Sequence, residues 1–159
     1  MHLGLSRWIW LFNDGSMNTI NYRIKSMQVT SSCIDPKKYT KEGEMQIHNS
    51  LSFTMAVKEC MLLCKHGLVL KKKENVFAEI ILETIFLIAP DSVEGMKSDN
   101  KLVIPRGFLV QCGSISYGTL RGVVLKSASE EGLDNIIIPP VFINTIIKDS
   151  MVIDLKDNK

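Results

Sequence analysis

Three residues in the middle of the chain have a spacing that could bind a metal ion. Cys60, Cys64 and His66 carry the thiol and imidazole groups that zinc prefers. The segment is predicted to be a β-strand, in which residues four positions apart are separated by about 13 Å at roughly 3.3 Å per residue. Two thiolates on one zinc ion must lie within about 4 Å of each other, because each Zn–S bond is about 2.3 Å long. The spacing therefore fits zinc only if the segment turns or coils, and we expect reduced, partly buried thiols and no metal site.

The other ionisable residues form no catalytic pattern. Glu79 and Glu83 lie on one face of a predicted strand, at a separation that matches neither class of glycosidase carboxylate pair. His2 lies near the N-terminus, and His48 points outward in an alternating pattern. The sequence contains no Gly-x-x-x-x-Gly-Lys-Ser/Thr loop, no Gly-x-Gly-x-x-Gly loop and no Gly-x-Ser-x-Gly elbow. We therefore expect neither an enzyme nor a bound cofactor.

Charge and composition argue against nucleic acids and membranes as partners. The net charge is +2, and the basic cluster at Lys71, Lys72 and Lys73 is interpreted as a solvated turn. A nucleic-acid surface needs several phosphate contacts. No run of about 18 apolar residues is present, so we expect no membrane span. With 159 residues, 45% hydrophobic and 23% charged, the chain is typical of one globular domain, and we take the cytoplasm as its default location.

The N-terminal segment "MHLGLSRWIWLFNDGSMN" has the apolar character of a signal peptide but not its pattern. Arg7 interrupts the apolar run, and no small-residue cleavage site follows. Residues 1–17 are interpreted as an N-terminal extension that is sticky or disordered, and with Met17 as the true start the first sixteen residues would not be native. Residues 18–157 are interpreted as the folded domain.

Apolar residues at alternate positions predict the first two long β-strands. In residues 45–57 the odd positions are apolar, except Asn49, and nearly all even positions are polar. An earlier strand begins with Ile20, Tyr22 and Ile24 on one parity and continues with Met27 and Val29 on the other. This change predicts a bulge or a change of face between Ile24 and Met27.

Two further strands follow. Residues 60–71 form a weaker pattern with Gly67 inside it, and residues 75–89 are apolar at both parities. The second of these patterns is typical of a central strand that is covered, at least in part, on both faces. The short links between the later strands favour an antiparallel sheet.

The rest of the chain changes to helical spacing after Pro105. A first helix is predicted to end at residues 130–132, and Asn144 is a suitable N-cap for a last helix. That last helix would carry Ile146, Ile147, Met151, Val152 and Leu155. The segment "DSVEGMKSDNK" is interpreted as a polar loop. The predicted fold class is α+β, with a four-stranded antiparallel sheet followed by two helices.

Small residues recur every four positions on the first predicted helix. Ser114, Gly118 and Gly122 would form a stripe without large side chains, where another backbone could approach closely. Each glycine costs about 1 kcal/mol relative to alanine in a helix interior. The alternative is a poor helix that the glycines break. We favour a close helix–helix contact, with a second subunit as the partner because one chain with two helices offers few.

The loop between the helices, "DNIIIPPVFINTII", is unusually apolar. Ile136, Ile137 and Ile138 stand directly before two prolines. Such a loop is expected either to be buried or to bind something apolar.

With this loop the sequence resembles the SecB family of export chaperones. The segment "NVFAEIILETIFLIA" looks like the fourth strand of that family, and "NYRIKSMQV" is similar to its first strand. The segment "VQCGSISYGTLRGVVLKSASEEGLDNIIIPPVFINTII" looks like its long helix, connecting loop and final helix. The positions in that segment that carry residues typical of the family are Cys112, Ile115, Tyr117, Arg121, Pro140 and Val141.

The resemblance implies a holdase that binds unfolded polypeptides for export without ATP or another cofactor. Family members assemble as dimers of dimers with their long helices packed between sheets, so Ser114, Gly118 and Gly122 are expected at a subunit interface. Clients occupy hydrophobic grooves near the helix-connecting loop. The expected client-binding residues are Met45, Ile47, Ile136, Ile138, Phe142, Ile143 and Ile147. The alternative is that these residues form only the hydrophobic core.

The chain departs from SecB in its charge. SecB is strongly acidic and uses sheet carboxylates to dock the SecA motor, whereas this chain has a pI near 8.3 and carries Gln28 and Ser32 where two such carboxylates are expected. We therefore expect weak or no docking to SecA. SecB-like proteins also serve as dedicated chaperones of antitoxins in toxin–antitoxin systems. That role and a non-chaperone oligomeric regulator stay open as alternatives.

Overall fold

The main sheet is built from five antiparallel strands rather than the expected four. The computed structural model describes residues 10–13, 19–141 and 143–156. In this part of the chain the sheet strands are β1 (Trp10–Asn13), β2 (Thr19–Ile34), β3 (Met45–Ala56), β4 (Met61–Lys72) and β5 (Asn75–Ile88). Their spatial order is β1-β2-β5-β4-β3, and every neighbouring pair is antiparallel. The predicted antiparallel sheet is confirmed, whereas the predicted count of four strands is wrong because β1 adds a fifth.

The additional strand comes from the segment predicted to be an extension. Trp10–Asn13 pairs with the first residues of β2, and the Phe12 ring lies 5.6 Å from the ring of Phe108 in a tilted arrangement. The remainder of residues 1–17, apart from this strand, lies outside the described residues. The prediction that residues 1–17 are disordered or not native is untested.

The first long strand carries the irregularity that the sequence predicts. The pairing of β2 with β5 shifts register between Ile24 and Ser26 and again between Val29 and Ser31. Each shift moves the following side chains to the opposite face of the sheet. The predicted bulge between Ile24 and Met27 is confirmed.

β5 lies at the centre of the sheet, as its pattern predicts. One of its faces is buried, at Phe77, Ile80, Leu82, Phe86 and Ile88, while the apolar residues of the other face are half-buried. A single 3-10 turn, Pro36–Lys38, interrupts the polar connection from β2 to β3.

A 25-residue helix packs across the buried face of the sheet. After the short helix α1 (Pro90–Gly95), the chain forms β6 (Lys97–Ser98), β7 (Lys101–Ile104) and then α2 (Arg106–Glu130). The helix buries Phe108, Leu109, Cys112, Tyr117, Leu120 and Val124. It ends where the sequence predicts, because Gly132 adopts a φ of +82° and the Leu133 N–H donates to the Ala128 carbonyl.

The last predicted helix does not form. Residues Ile143–Thr145 make one 3-10 turn, and β8 (Met151–Asp154) pairs antiparallel with β7 in a small sheet of order β6-β7-β8. The segment "DSVEGMKSDNK" likewise forms α1 and β6 rather than a loop. Residues 151–155 alternate between half-buried and exposed, a strand pattern that β7 can pair with.

None of the helices in the described residues is long and apolar enough to cross a membrane.

Candidate functional site

A cleft of about 320 Å³ lies between the edge strand β3 and the chain after the helix-connecting loop. Its apolar lining comes from Leu51 and Phe53 on β3, Leu109 on α2, and Ile146, Ile147 and Met151 near the C-terminus. Ser52, Asp149 and Ser150 complete its wall. A largely apolar concavity with a few polar groups is typical of sites that bind apolar groups.

The edge strand supplies one wall because its apolar residues share a face. Leu51 and Phe53 pair with His66 and Cys64 of β4, which point toward α2 and are fully buried. Since β3 is the last strand of the sheet among the described residues, no further strand of that part of the chain lies beside Leu51 and Phe53, and both stay half-buried. The period-two pattern identified this face, but not which of its residues would line a cleft.

Arg106 anchors the opposite wall. Its guanidinium donates from Nε to the carbonyl oxygen of Ile147 at 2.8 Å and from Nη2 to the carbonyl oxygen of Asn144. Its backbone N–H donates to the Ser150 hydroxyl at 3.0 Å. These bonds pair carbonyl groups that have no hydrogen-bond partner within a helix. They also hold residues 144–150 against the start of α2. The sequence pattern did not single out Arg106, because only its position just after Pro105, at the start of a helix, could have indicated a role.

Gly113 allows α2 to pack closely against the segments that form the cleft. A Cβ atom at this position would lie 2.9 Å from Cγ2 of Ile143, 3.2 Å from Cδ2 of Leu51 and 3.5 Å from Cδ1 of Ile147. The missing side chain therefore allows three separate parts of the chain to meet on one face of α2. Gly113 was also missed, because it lies beside the small-residue stripe and not on it.

The isoleucine loop is divided between core and surface. Ile136 and Ile138 are buried, whereas Ile137 is 66% exposed. Two bonds from α2 hold this orientation: the Tyr117 hydroxyl donates to the Pro139 carbonyl at 2.8 Å, and Arg121 Nε donates to the Ile138 carbonyl at 2.8 Å.

The expected client-binding residues do not lie together on one open surface. Met45 and Ile47 are half-buried on β3, outside the cleft lining, while Ile136, Ile138, Ile143 and Ile147 belong to the buried core. Of the expected set, Ile147 lines the cleft. Phe142 lies outside the described residues. The role of this set in client binding stays a prediction, and in this conformation the cleft offers Leu51, Phe53 and Ile146 instead.

Beneath the loop, β4 carries a buried histidine. His66 Nε2 lies 3.0 Å from Oδ1 of Asn49, and its ring stacks on that of Tyr117 at 5.6 Å between centroids. Burial lowers the pKa of His66 to about 4, so the ring is neutral at pH 7. His66 thus connects β3 to the tyrosine that holds the loop.

The two buried cysteines near His66, Cys64 and Cys112, have the properties of inert thiols. Cys60 ends the turn after β3 with a φ of +54°, and Cys64 lies inside β4. Burial raises the pKa of Cys64 to about 12 and that of Cys112 well above its usual value, so neither thiol is ionised at pH 7. Within residues 10–13, 19–141 and 143–156, no three potential metal ligands cluster.

The small-residue stripe lies on the outer face of α2. Ser114, Gly118 and Gly122 are exposed, and a Cβ atom at either glycine would meet nothing within 4 Å. A shallow depression continues from Gly122 to the end of the helix, where Leu125 is 46% exposed. The predicted subunit contact is therefore sterically open, and the contact itself stays a prediction.

Gln28 and Ser32 are exposed on β2. In the pairing with β5, Gln28 lies opposite Glu83 and Ser32 lies opposite Ile80. β2 itself contributes no carboxylate, because its sequence "TINYRIKSMQVTSSCI" contains no Asp or Glu.

The comparisons with known proteins reveal the fold but no family. No protein-family model matches the chain, and no curated protein matches it. Among solved structures, the chain is similar to the SecB-like chaperone Rv1957 of Mycobacterium tuberculosis, which was solved in complex with a ChAD peptide from the antitoxin HigA1 (Rv1956). The TM-score is 0.57 at 11% sequence identity, over 76% of this chain and 89% of the neighbour. The chain therefore has a SecB-like fold.

Proposed function

We propose that this chain is a chaperone that holds unfolded polypeptide segments, and that the cleft beside β3 is its client-binding site. The observation that supports this function best is an apolar cleft on a SecB-like fold, between the edge strand and the segment after the helix-connecting loop. The exposed Ile146 and the half-buried Phe53 and Met151 leave apolar surface that a client can cover.

The proposed binding needs no cofactor or ATP. Removing apolar surface from water is favourable by about 25 cal/mol per Å², and it is non-directional. It therefore suits clients that are defined by exposed apolar side chains rather than by one sequence. Met151 adds a flexible, polarisable contact that can adapt to different side chains.

A dedicated client is the second candidate function. The SecB-like neighbour was solved with an antitoxin peptide, which is consistent with a chaperone that serves one partner. The pI of about 8.3 and the uncharged Gln28 and Ser32 favour this role over export through SecA. A cytoplasmic location and a homotetramer built as a dimer of dimers are part of both proposals, with α2 and its small-residue stripe at the subunit interface.

Light scattering of a refolding client tests the proposed function. A general holdase should suppress aggregation of several unrelated unfolded proteins at near-stoichiometric amounts and without ATP. A dedicated chaperone should suppress aggregation of its own partner alone. A chain that binds one folded partner and suppresses no aggregation would instead be a regulatory oligomer, and turnover of a small molecule would indicate an enzyme.

A further inference from the structure

A layer of polar and sulfur-containing side chains interrupts the apolar contact between the sheet and α2. Cys64 and Thr84 are partners across β4 and β5, and both are fully buried. His66 follows two residues after Cys64 on the same buried face of β4. From α2, the buried Cys112 and Ser116 lie next to Cys64, about one helical turn apart. These five residues form the polar layer, and buried apolar side chains precede and follow it along α2.

Three groups of the polar layer are buried without a hydrogen-bond partner among the described residues. They are Oγ1 of Thr84, Oγ of Ser116 and Nδ1 of His66. Burying such a group is unfavourable, because its hydrogen bonds to water are lost and not replaced. The polar layer therefore weakens the contact between α2 and the sheet at this level. If the two surfaces separated there, water would pair these groups again.

The polar layer faces a part of α2, residues 113–119, that is poorly suited to a straight helix. This segment contains Gly113 and Gly118, and glycine is unfavourable inside helices. The hydroxyl groups of Ser114 and Thr119 donate to backbone carbonyls four residues earlier, at 2.7 and 3.2 Å. Such side-chain bonds often bend helices, and glycine–serine pairs are frequent positions of kinks. Residues 113–119 are therefore a segment at which α2 can bend.

The half of α2 before this segment is held by several parts of the fold. The Phe108 ring lies 5.1 Å from the ring of Tyr22 and 5.6 Å from that of Phe12. Gln111 donates to the Tyr22 hydroxyl. Arg106 bonds to carbonyls of the C-terminal segment. This half is thus joined to β1, to β2 and to the chain after the isoleucine loop.

The half of α2 after this segment is joined mainly to the isoleucine loop. Its hydroxyl and guanidinium groups at Tyr117 and Arg121 donate to two loop carbonyls, each at 2.8 Å. The buried residues of this half beyond Tyr117 are aliphatic: Leu120, Val124 and Ala128. The loop and this half of the helix are therefore tied to each other by hydrogen bonds, while the helix contacts the sheet through small and medium-sized apolar side chains.

We infer that α2 consists of two units joined at residues 113–119, and that the second unit opens from the sheet together with the isoleucine loop while the first stays docked. Opening hydrates the polar layer and exposes Leu120 and Val124. Local openings of this kind cost less free energy than global unfolding. The inference concerns motion within the chain and does not depend on client binding, so the proposed chaperone function and this motion can fail separately.

Hydrogen exchange of the full wild-type chain at pH 7, followed by mass spectrometry of overlapping peptides, tests the division of α2. After correction for intrinsic rates, the amides of residues 118–124 should be at least about tenfold less protected than those of residues 109–113. The first and last turns of the helix are left out of the comparison, because helix ends fray. Equal protection of the two segments would overturn the inference.

Thr84→Val tests the role of the polar layer. Valine has the shape of threonine but needs no hydrogen bond in the closed state, so protection of residues 118–124 should rise by about tenfold. Thr54→Val, the same change at an exposed position of β3, is the matched control and should leave that protection unchanged. A fall in protection in Thr84→Val would show that the hydroxyl stabilises the closed state, which contradicts the proposed role.

Gly118→Ala tests the bending segment. A Cβ atom at Gly118 meets nothing within 4 Å, so alanine fits and only stiffens the helix. Protection of residues 118–124 should rise by about fivefold. Gly95→Ala in α1, where a Cβ atom also meets nothing within 4 Å, is the control and should have no such effect. Equal protection in Gly118→Ala and the wild type would exclude bending at this segment.

Because Gly118 also lies on the outer face of α2 that is proposed to contact a second subunit, exchange is measured at two protein concentrations. A motion within one chain should give the same rates at both. Faster exchange of residues 118–124 on dilution would mean that subunit dissociation limits the opening, which overturns the inference.

Discussion

Gly113 is a residue at which α2, the edge strand β3 and the chain after the loop meet. We expect Gly113→Val to lower the free energy of unfolding by about 1–3 kcal/mol, because its methyl groups would overpack the contact with Ile143 and Leu51. Chemical denaturation measures the effect. Gly95→Val is the control, since a Cβ atom there meets nothing within 4 Å. Equal stability of the two variants would show that the space at Gly113 is not needed.

The buried His66 makes the stability of the fold depend on pH. Burial lowers its pKa from 6.5 to about 4, so the unfolded chain binds more protons than the folded chain between these values. The contribution of His66 to stability is therefore complete above about pH 6.5 and decreases as the pH falls toward 4. Over this window the loss is on the order of 3 kcal/mol.

Denaturation at a series of pH values from 7 to 4 measures this loss. His66→Phe should flatten the dependence, because the ring stays apolar at every pH, and the exposed His48→Gln should leave it unchanged. A slope that persists in His66→Phe would assign the pH dependence to other groups.

In the isoleucine loop, an exposed side chain lies between two buried ones. Ile138→Ser should lower the free energy of unfolding by about 2–4 kcal/mol, since it leaves a cavity and buries a hydroxyl. Ile137→Ser, one residue away and 66% exposed, should change stability by less than about 0.5 kcal/mol. Thermal melts of the two variants measure the difference.

Client titration of the same two variants tests the earlier prediction that Ile138 contacts clients. If Ile138 acts only in the core, the folded fraction of Ile138→Ser should bind clients with unchanged affinity. Weakened client binding with an unchanged melting temperature would place Ile138 in the binding site instead.

At the scale of the whole molecule, substitutions on the outer face of α2 test the predicted oligomer. Leucine at Gly118 or Gly122 would fill the gap through which a second backbone is proposed to approach, so either variant should shift sedimentation toward smaller species. Lys148→Leu, also at an exposed position but away from α2, controls for the added apolar side chain. A wild-type monomer at micromolar concentration would contradict the predicted tetramer or dimer.

Binding of the SecA tail to the surface of β2 tests whether the protein can take part in SecA-dependent export. Because Gln28 and Ser32 carry no charge, we expect weak or absent binding to the basic, zinc-bearing tail of SecA in calorimetry. The double variant Gln28→Glu with Ser32→Glu should strengthen that binding, with the largest effect at low salt. Micromolar or tighter binding of the wild type at moderate salt would contradict the prediction.

The sequence by itself determined the long strands and the long helix. The alternation along β3 and the parity change between Ile24 and Met27 reflect a local rule, because successive side chains of a strand point to opposite faces. The end of α2 near Gly132 also depends on local geometry, since that residue adopts a left-handed conformation that glycine tolerates. Such features depend on neighbouring residues alone, so the local sequence pattern was enough to predict them correctly.

Only the tertiary structure determined that the C-terminal segment forms a 3-10 turn and a β-strand rather than a helix. Residues 143–155 have apolar residues at spacings that suit a helix as well as a strand. β7 pairs with β8, and Arg106 bonds to the carbonyls of Asn144 and Ile147 that a helix would have paired internally. Both partners lie about forty residues or more away in sequence, so no local pattern could reveal them.

The same reason explains the binding site. The sequence identified the apolar face of β3 and the apolar loop, but Ile136 and Ile138 are buried while Ile137 is exposed because Tyr117 and Arg121 bond to the loop carbonyls. The cleft exists because Gly113 and Arg106 bring together an edge strand, a helix and the C-terminal segment. The residue types of a segment determine which of its surfaces can be buried. Only the packing of distant segments determines which of those surfaces stays exposed.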